Sequence, residues 1–330
     1  MIGPGARVDV LLPTHRGRRW VSEAIDSVLA QTHRDVHLVV VDDASSDGTF
    51  DLLRERYGAM PERVTLLALE TPRRAAGARM EASRHARGEL LAFIDQDDRW
   101  LPEKLERQLA CLARDPGLAA VHTNVMHIDE AGEPIPGSAD IENAGRRAVP
   151  WDELQGDSLA RVLFLSGRVR LVSALLRREV FEALGGFDTR LFGGEDWEFW
   201  VRFAAAGHRM GFLSDALVER REHRENTSVV HADRRLEGQF AALDRVVARH
   251  PGFRAWEAGR RAGLLRQDVS VRMRAGRAAE AREHLRAYRR GTPAATLAAL
   301  WLLTWSGPLH PWLERSAARL RRRASGAPPE

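Results

Sequence analysis

Cysteine is almost missing from this 330-residue chain: Cys111 is the only one, which excludes both a disulfide framework and a multi-cysteine metal site. Lysine is as scarce, because Lys104 is the single lysine among 50 basic residues. The longest apolar stretch, Ala294 to Trp305, falls short of the roughly 20 residues needed to span a bilayer. Met1 to Arg7 lack the apolar core of a secretory signal, which sets the expectation at a cytoplasmic protein. No P-loop, His-Glu-x-x-His or Gly-x-Ser-x-Gly motif occurs. Gly3-Pro4-Gly5 precedes its strand instead of following it, so it cannot act as a dinucleotide-binding turn.

What is present is a globular composition, 44% hydrophobic and 29% charged, with 27 glycines and 15 prolines. The length suits one main domain with an appendage. A net charge of +4 carried by arginine suits anionic partners such as phosphates or acidic lipid. Acidic residues are interspersed nearly everywhere, so nucleic acid is not indicated. A bias towards arginine codons would leave the same mark.

Periodicity predicts an alternating order. Strands are expected at Val8–Leu12, His37–Val41, Val64–Leu69, Leu90–Ile94 and Leu118–Val125. Between them helices are expected from Trp20 to Leu29, Thr49 to Tyr57, around Ala76 to Ala86, and from Pro102 onward. Such alternation implies an α/β fold with a parallel sheet covered on both faces. Farther on, Ile128 to Ile135 reads as a hairpin, Arg168 to Arg177 as a strand, and Arg178–Leu184 and Glu195–Ala206 as helices. From about Ala232 the chain turns helical, rich in arginine and alanine.

Ligands in open α/β sheets bind at the carboxyl ends of strands. Three of these ends carry polar groups: Pro13-Thr14-His15-Arg16, Asp42-Asp43 running on to Asp47-Gly48-Thr49, and Asp95-Gln96-Asp97-Asp98. With 21 aspartates in the chain, about one Asp-x-Asp is expected by chance, but this one directly follows an apolar strand. Clustered carboxylates repel unless a cation joins them, and hard oxygen donors at this spacing suit Mg²⁺ or Mn²⁺ with positions left open for diphosphate oxygens. The alternative is that these acids only start turns and cap helices. Glu195-Asp196 could likewise be a dipole-favoured helix start, with Trp197 and Trp200 in the core. His223 alone reads more readily as a surface residue than as a ligand.

Taken in order, Pro13-Thr14, Val41-Asp42-Asp43-Ala44-Ser45, Asp95-Gln96-Asp97-Asp98, Gly185-Gly186-Phe187-Asp188, Glu195-Asp196-Trp197 and Arg221-x-His223-x-x-Asn226-x-Ser228 resemble glycosyltransferase family 2 over roughly residues 7–230. The resemblance implies a GT-A fold, Rossmann-like with a mostly parallel sheet, and a helical C-terminal extension. It also implies an inverting transferase that uses a nucleotide diphosphate sugar and a divalent metal, Mn²⁺ or Mg²⁺. By position, Asp43 would contact the base and Pro13, Thr14 and His15 would line its pocket. Asp95 would sit by ribose and metal, Asp97 would be the metal ligand at the diphosphate, and His223 would lie near either. Asp196 would be the general base, with Glu195 beside it. The family often has Ala-Arg-Asn where Ala78-Arg79-Met80 stands, and Arg79 or Arg74 would then serve the phosphates. The acceptor would be a hydroxyl of a glycan or lipid-linked glycan, of the cell-surface polysaccharide type. Residues 137–167 match no family pattern.

The expected division is a catalytic domain over 1–231 and a helical extension over 232–330. In the extension, the Trp-bearing apolar segment and the arginines from Arg315 to Arg323 suit an anionic membrane surface; a cap on the catalytic domain or a dimer contact is the alternative. Two rival functions remain at this point. Nucleotidyl transfer onto a sugar phosphate is disfavoured by Glu195-Asp196 far downstream, and a non-catalytic nucleotide-sugar-binding subunit by the presence of both Asp97 and Asp196.

Overall fold

The apolar runs become strands because each is flanked by turn formers and is too short for a helix. The computed structural model describes residues 5–136, 154–166, 169–226 and 232–305. Its first strands are β1 (Val8–Thr14), β2 (Val36–Asp42), β3 (Val64–Ala68) and β4 (Leu90–Phe93), with helices α1 (Val21–Leu29), α2 (Thr49–Tyr57) and α3 (Arg74–Arg84) between them. β1 and β2 are buried along their whole length, as strands covered on both faces must be. The next elements are β5 (Arg99–Trp100), α4 (Lys104–Arg114), β6 (Leu118–Ile128), α5 (Gly156–Ser166), β7 (Leu175–Arg177), α6 (Arg178–Ala183), α7 (Glu195–Ala205) and β8 (Arg209–Arg221). Four further helices end the described chain: α8 (Ala232–Arg249), α9 (Arg254–Arg274), α10 (Ala278–Ala287) and α11 (Ala294–Leu303).

The eight strands of the described residues form one sheet in the order β3-β2-β1-β4-β7-β6-β8-β5. The half containing β1 to β4 is parallel, as the alternation predicts. Beyond β4 the sheet becomes mixed, within a mostly parallel whole: β7 runs antiparallel to both β4 and β6, and β5 antiparallel to β8, while β6 and β8 pair in parallel. The predicted strand over Arg168–Arg177 is in fact a buried 3-10 turn, Leu171–Ser173, followed by three residues of β7. Pro102 does not open α4; the helix starts at Lys104, and the Pro102 carbonyl accepts the backbone N–H of Thr32. The expected hairpin is present as an Ile128–Pro134 bridge.

Lys104 lies fully buried in this architecture. Its ammonium is 3.9 Å from the Trp100 ring centre and donates to Gln108 Oε1 at 2.8 Å. Gln108 in turn donates to the carbonyls of Val121 and Ser173, tying α4 to β6 and to the 3-10 turn. Burial holds the Lys104 pKa well below its ordinary value.

The chain separates into two compact units, Met1–His250 and Pro251–Glu330. The helix that follows the change of character near Ala232, α8, lies in the first of these units. It packs against α7 and against the glycines that precede it. Among the described residues no helix is long and apolar enough to cross a membrane. The arginines from Arg315 to Arg323 lie outside the described residues.

Gly238 makes the seat of α8 possible, because a Cβ there would sit 1.9 Å from the Phe192 carbonyl oxygen. Glycine inside a helix normally costs about 0.5–1 kcal/mol relative to alanine. Gly238→Ala should reverse that sign and destabilise by about 1–3 kcal/mol through overpacking. Gly263→Ala in α9, where a Cβ meets nothing within 4 Å, should stabilise. Denaturant titrations of the two variants check the contrast.

Candidate active site

The strand ends of β1, β2 and β4 meet at one edge and are stitched together by hydrogen bonds. Gln96 accepts from the Thr14 hydroxyl at 2.7 Å and from the His15 backbone N–H at 2.8 Å. His15 Nδ1 lies 2.8 Å from the Asp43 carbonyl, so that nitrogen carries the proton and donates. The Arg16 N–H donates to Ser45 Oγ at 2.8 Å. Asp43 accepts the backbone N–H groups of Arg73 and Arg74 at 2.5 and 2.7 Å, which fixes the entry to α3. Among the described residues three other than glycine have left-handed backbones, Arg16, Ala44 and Arg74, with φ of 50°, 56° and 62°. Each lies in one of these loops or at the entry to α3. Strain of this kind costs of order 1–3 kcal/mol per residue and gathers at functional sites.

The acidic run after β4 divides its tasks. Asp98 turns inward, is buried and accepts the Arg221 N–H at 3.1 Å. Burial, with Asp97 and Asp95 nearby, pushes its pKa well above the ordinary carboxylate range. Asp95 pairs with Arg79, whose other terminal nitrogen is 3.5 Å from Glu195. Burial alone would depress Arg79, but Asp95 and Glu195 outweigh it and raise its pKa. Asp97 Oδ2 stands 2.8 Å from His223 Nε2. The imidazole packs on Trp20 with ring centres 4.3 Å apart, and its Nδ1 is buried without a partner. Asn226 holds that segment by accepting the His223 N–H at 2.5 Å and donating to the Arg221 carbonyl at 3.1 Å. The histidine that the sequence alone would place at the surface therefore belongs to the acidic site.

Glu195 and Asp196 open α7 directly after Gly193 and Gly194, whose φ of 80° and 83° belong to the region only glycine enters freely. Burial and then Asp196 push the Glu195 pKa up to about 7, with Arg79 opposing them. Asp196 Oδ1 accepts the Trp197 N–H at 2.7 Å. Trp197 and Trp200 are core residues, 6% and 2% exposed. Met80 places its sulfur 3.2 Å from the Phe187 N–H, against the Gly186 turn.

The structure thus brings Thr14, His15, Asp43, Asp95, Asp97 and His223 to one edge, and Arg79 bridges that edge to Glu195 beside Asp196. Pro13 is the residue before the last of β1, paired with Val41. Arg74 behaves differently: only its backbone joins the cluster. Its guanidinium reaches the Thr189 carbonyl at 3.1 Å and lies 5.6 Å from the Phe192 ring centre. Among the described residues no group of three or more His, Cys, Asp or Glu forms a ready metal cage. Asp95 is taken by Arg79, so Asp97 and His223 remain as a donor pair.

Two arginines in the site were not foreseen. Arg220 donates to Glu222 at 2.7 Å; burial pulls its pKa down, but Glu222, Asp98, Asp95 and Asp97 raise it overall. Arg235, in the first turn of α8, lays its side-chain stem over Gly193 and makes no hydrogen bond or ion pair among the described residues. Burial holds its pKa below the usual value, against the pull of Asp196, and the like charges of Arg170 and Arg220 add to the depression. In a chain with this much arginine, only α8 docking on the Gly193-Gly194 turn could have singled it out.

A sequence profile described as glycosyl transferase family 2 matches residues 9–185, more than half of the chain. The chain belongs to glycosyl transferase family 2. It is 28% identical over 220 residues to a Bacillus subtilis protein, EpsE, named as a glycosyltransferase, which covers 66% of this chain and 74% of EpsE. It is 38% identical over 109 residues to the Escherichia coli UDP-Glc:alpha-D-GlcNAc-diphosphoundecaprenol beta-1,3-glucosyltransferase WfgD; the match spans 33% of this chain and 42% of WfgD. The Pyrobaculum calidifontis mannosyltransferase PcManGT, solved with GDP-Man and Mn²⁺, superposes with a TM-score of 0.62 at 23% identity, covering 95% of this chain and 84% of that one. S. aureus TarS 1-349 with UDP-GlcNAc gives 0.53 at 17%, covering 90% of each chain. These two show the GT-A fold of this family member, a mixed curled sheet with a helical C-terminal region. It is a glycosyltransferase.

The Glu195 carboxyl yields a pH test. Its pKa is raised in the folded state, so its contribution to stability is fully present below the ordinary value of 4.5 and is lost as pH rises through about 7. At about 1.4 kcal/mol per pH unit, the loss is of order 1–3 kcal/mol. Glu195→Gln should gain stability relative to the parent across that interval, and urea titrations from acid to neutral pH read the difference.

Proposed function

We propose that this transferase moves a sugar from a nucleotide diphosphate donor to a hydroxyl of a glycan or lipid-linked glycan, with inversion, in a single displacement that needs a divalent cation. One observation carries the reading: Arg79 separates a donor-side set, Asp95 with Asp97 and His223, from an acceptor-side pair, Glu195 with Asp196. The names of WfgD and of the chondroitin synthase of Escherichia coli, 23% identical over 242 residues and matched over 33% of its length, support a cell-surface polysaccharide acceptor.

Asp97 and His223 would hold Mn²⁺ or Mg²⁺. One carboxylate and one imidazole, with His223 Nε2 2.8 Å from Asp97 Oδ2, would leave such a cation free to take diphosphate oxygens and water, the hard ligands it prefers. The cation would neutralise charge on the departing nucleoside diphosphate.

The chain's own groups account for the remaining roles. The loops holding Thr14, His15 and Asp43 form the base pocket, with Asp43 locking the backbone of Arg73 and Arg74 across it. Arg235 and Arg220 supply positive charge for the diphosphate. Asp196 takes the proton of the acceptor hydroxyl as its oxygen bonds to the anomeric carbon. The bond from that carbon to the diphosphate oxygen breaks, and its electron pair leaves with the nucleotide. Glu195, held by Arg79, keeps the base in place.

A cognate nucleotide diphosphate at about 100 times its dissociation constant should stabilise the protein by about 2.7 kcal/mol, a melting shift of roughly 5–10 °C. The shift should require Mn²⁺ and vanish with chelator; UDP, GDP, dTDP and CMP are the nucleotides to compare. Asp97→Ala should abolish the metal-dependent shift. Asp196→Asn should keep it while losing about 10²–10⁴-fold in transfer rate. Arg235→Ala should reduce the shift and Arg235→Lys should restore part of it. Full transfer by Asp196→Asn would remove that residue from the role of base.

A further inference from the structure

The described part of the helical unit that follows His250 closes with an exposed apolar element. α11 reads Ala-Ala-Thr-Leu-Ala-Ala-Leu-Trp-Leu-Leu and carries no charge. A helix of a water-facing unit normally keeps apolar residues to one stripe, yet Leu300 is the only residue of α11 that is buried. Ala294, Ala295, Ala298, Ala299 and Leu302 are exposed, and so is Trp305 just past its end. These positions recur at helical spacing and form one continuous face, with Leu302 at 70% and Trp305 at 65% exposure.

Positive charge borders that face. Arg282 and Arg286, one turn apart on α10, both point at α11. The Arg282 guanidinium is 4.3 Å from the Trp305 ring centre and donates to the Thr304 carbonyl at 2.9 Å; that of Arg286 is 4.9 Å from Trp301. Arg289 and Arg290 follow, exposed, in the connection to α11. Glu280 of α10 is instead occupied by Arg272 at 2.6 Å and Arg277 at 3.4 Å. The acidic group closest in sequence to the stripe, Glu283, is exposed.

We propose that the α10–α11 face docks on an anionic lipid surface, lying in the headgroup layer with Leu302 and Trp305 inserted and Arg282, Arg286, Arg289 and Arg290 at phosphate level. Tryptophan and arginine together are the side chains suited to that boundary. Ten residues of helix span about 15 Å, which suits lying along the interface and not crossing a core of about 30 Å. Charge selects the occupant. A second copy meeting this face about a two-fold axis would set the arginines against their own equivalents. Residues 306–330 bring Arg315, Arg319, Arg321, Arg322 and Arg323, again the same sign. Anionic headgroups complement the face.

The test is co-sedimentation of the full chain with phosphatidylcholine vesicles and with vesicles containing an equal part of phosphatidylglycerol. Binding is expected only to the anionic vesicles and should weaken as salt is raised. The double variant Leu302→Glu/Trp305→Glu should lose at least about tenfold in partitioning with an unchanged circular dichroism spectrum. Arg286→Gln/Arg289→Gln should lose about fivefold per charge at low salt. Equal binding of parent and double variant would overturn the proposal. So would a change of oligomeric state in the double variant, which would assign the face to a second copy. A lowered melting temperature with no vesicle binding by either protein would also overturn it, assigning the face to the chain's own C-terminal segment.

Discussion

Arg79 is buried where carboxylates from two distant stretches of chain converge, and the site depends on its charge. Asp95, Asp97 and Asp98 arrive from the end of β4, Glu195 and Asp196 from the start of α7. Without a resident cation their repulsion would drive the two stretches apart or force protons onto them. The guanidinium between Asp95 and Glu195 supplies that cation before any substrate arrives. Asp98 withdraws into the core on the Arg221 N–H. Asp97 is left facing His223, and Asp196 stands beside Glu195 at the head of α7.

The frame around this charge is built largely from backbone. Asp43 grips two main-chain N–H groups at the entry to the helix that carries Arg79, which ties the loop after β2 to that helix. On the other side, the Gly193-Gly194 turn leaves room for α8 to press on the peptide just before Glu195. An error of about 1 Å in placing a reacting group can cost a hundredfold in rate. A frame of peptide hydrogen bonds and close helix contact resists such errors better than long side chains would. The three left-handed residues are the backbone cost of that closeness.

How much of this could be read from residues alone follows from contrast. β1, β2 and β4 were legible because unbroken β-branched runs are sharply bounded by turn formers. The acids that follow them were legible because they stand at strand ends. β8 was not, since its 13 residues alternate Arg, Ser, Asp and Glu with apolar positions and its pairing with β6 is interrupted by register shifts. α9 fell within the stretch read as helical, but its limits left no mark because charge is spread around the whole helix. The inserted antiparallel β7 is three residues long, too short to leave a period. His223 looked like a surface residue because Asp97 lies 126 positions away in sequence. Arg220 and Arg235 had no contrast at all against so many other arginines. Pairing across the chain, not local pattern, makes those residues part of the site.

The burial of Lys104 has a chemical consequence for the whole molecule. The chain's only ε-amine is sealed under Trp100 and Gln108, with a pKa depressed by that burial, so the folded surface offers no lysine to acylating enzymes, ubiquitin ligases or amine-directed crosslinkers. An opening that lets water and reagent in also removes the cause of the depression, so the amine then reacts as an ordinary exposed lysine. Acylation of Lys104 therefore becomes a clock for the opening of α4 away from β6, a single covalent reporter of how often the core behind the acidic site comes apart.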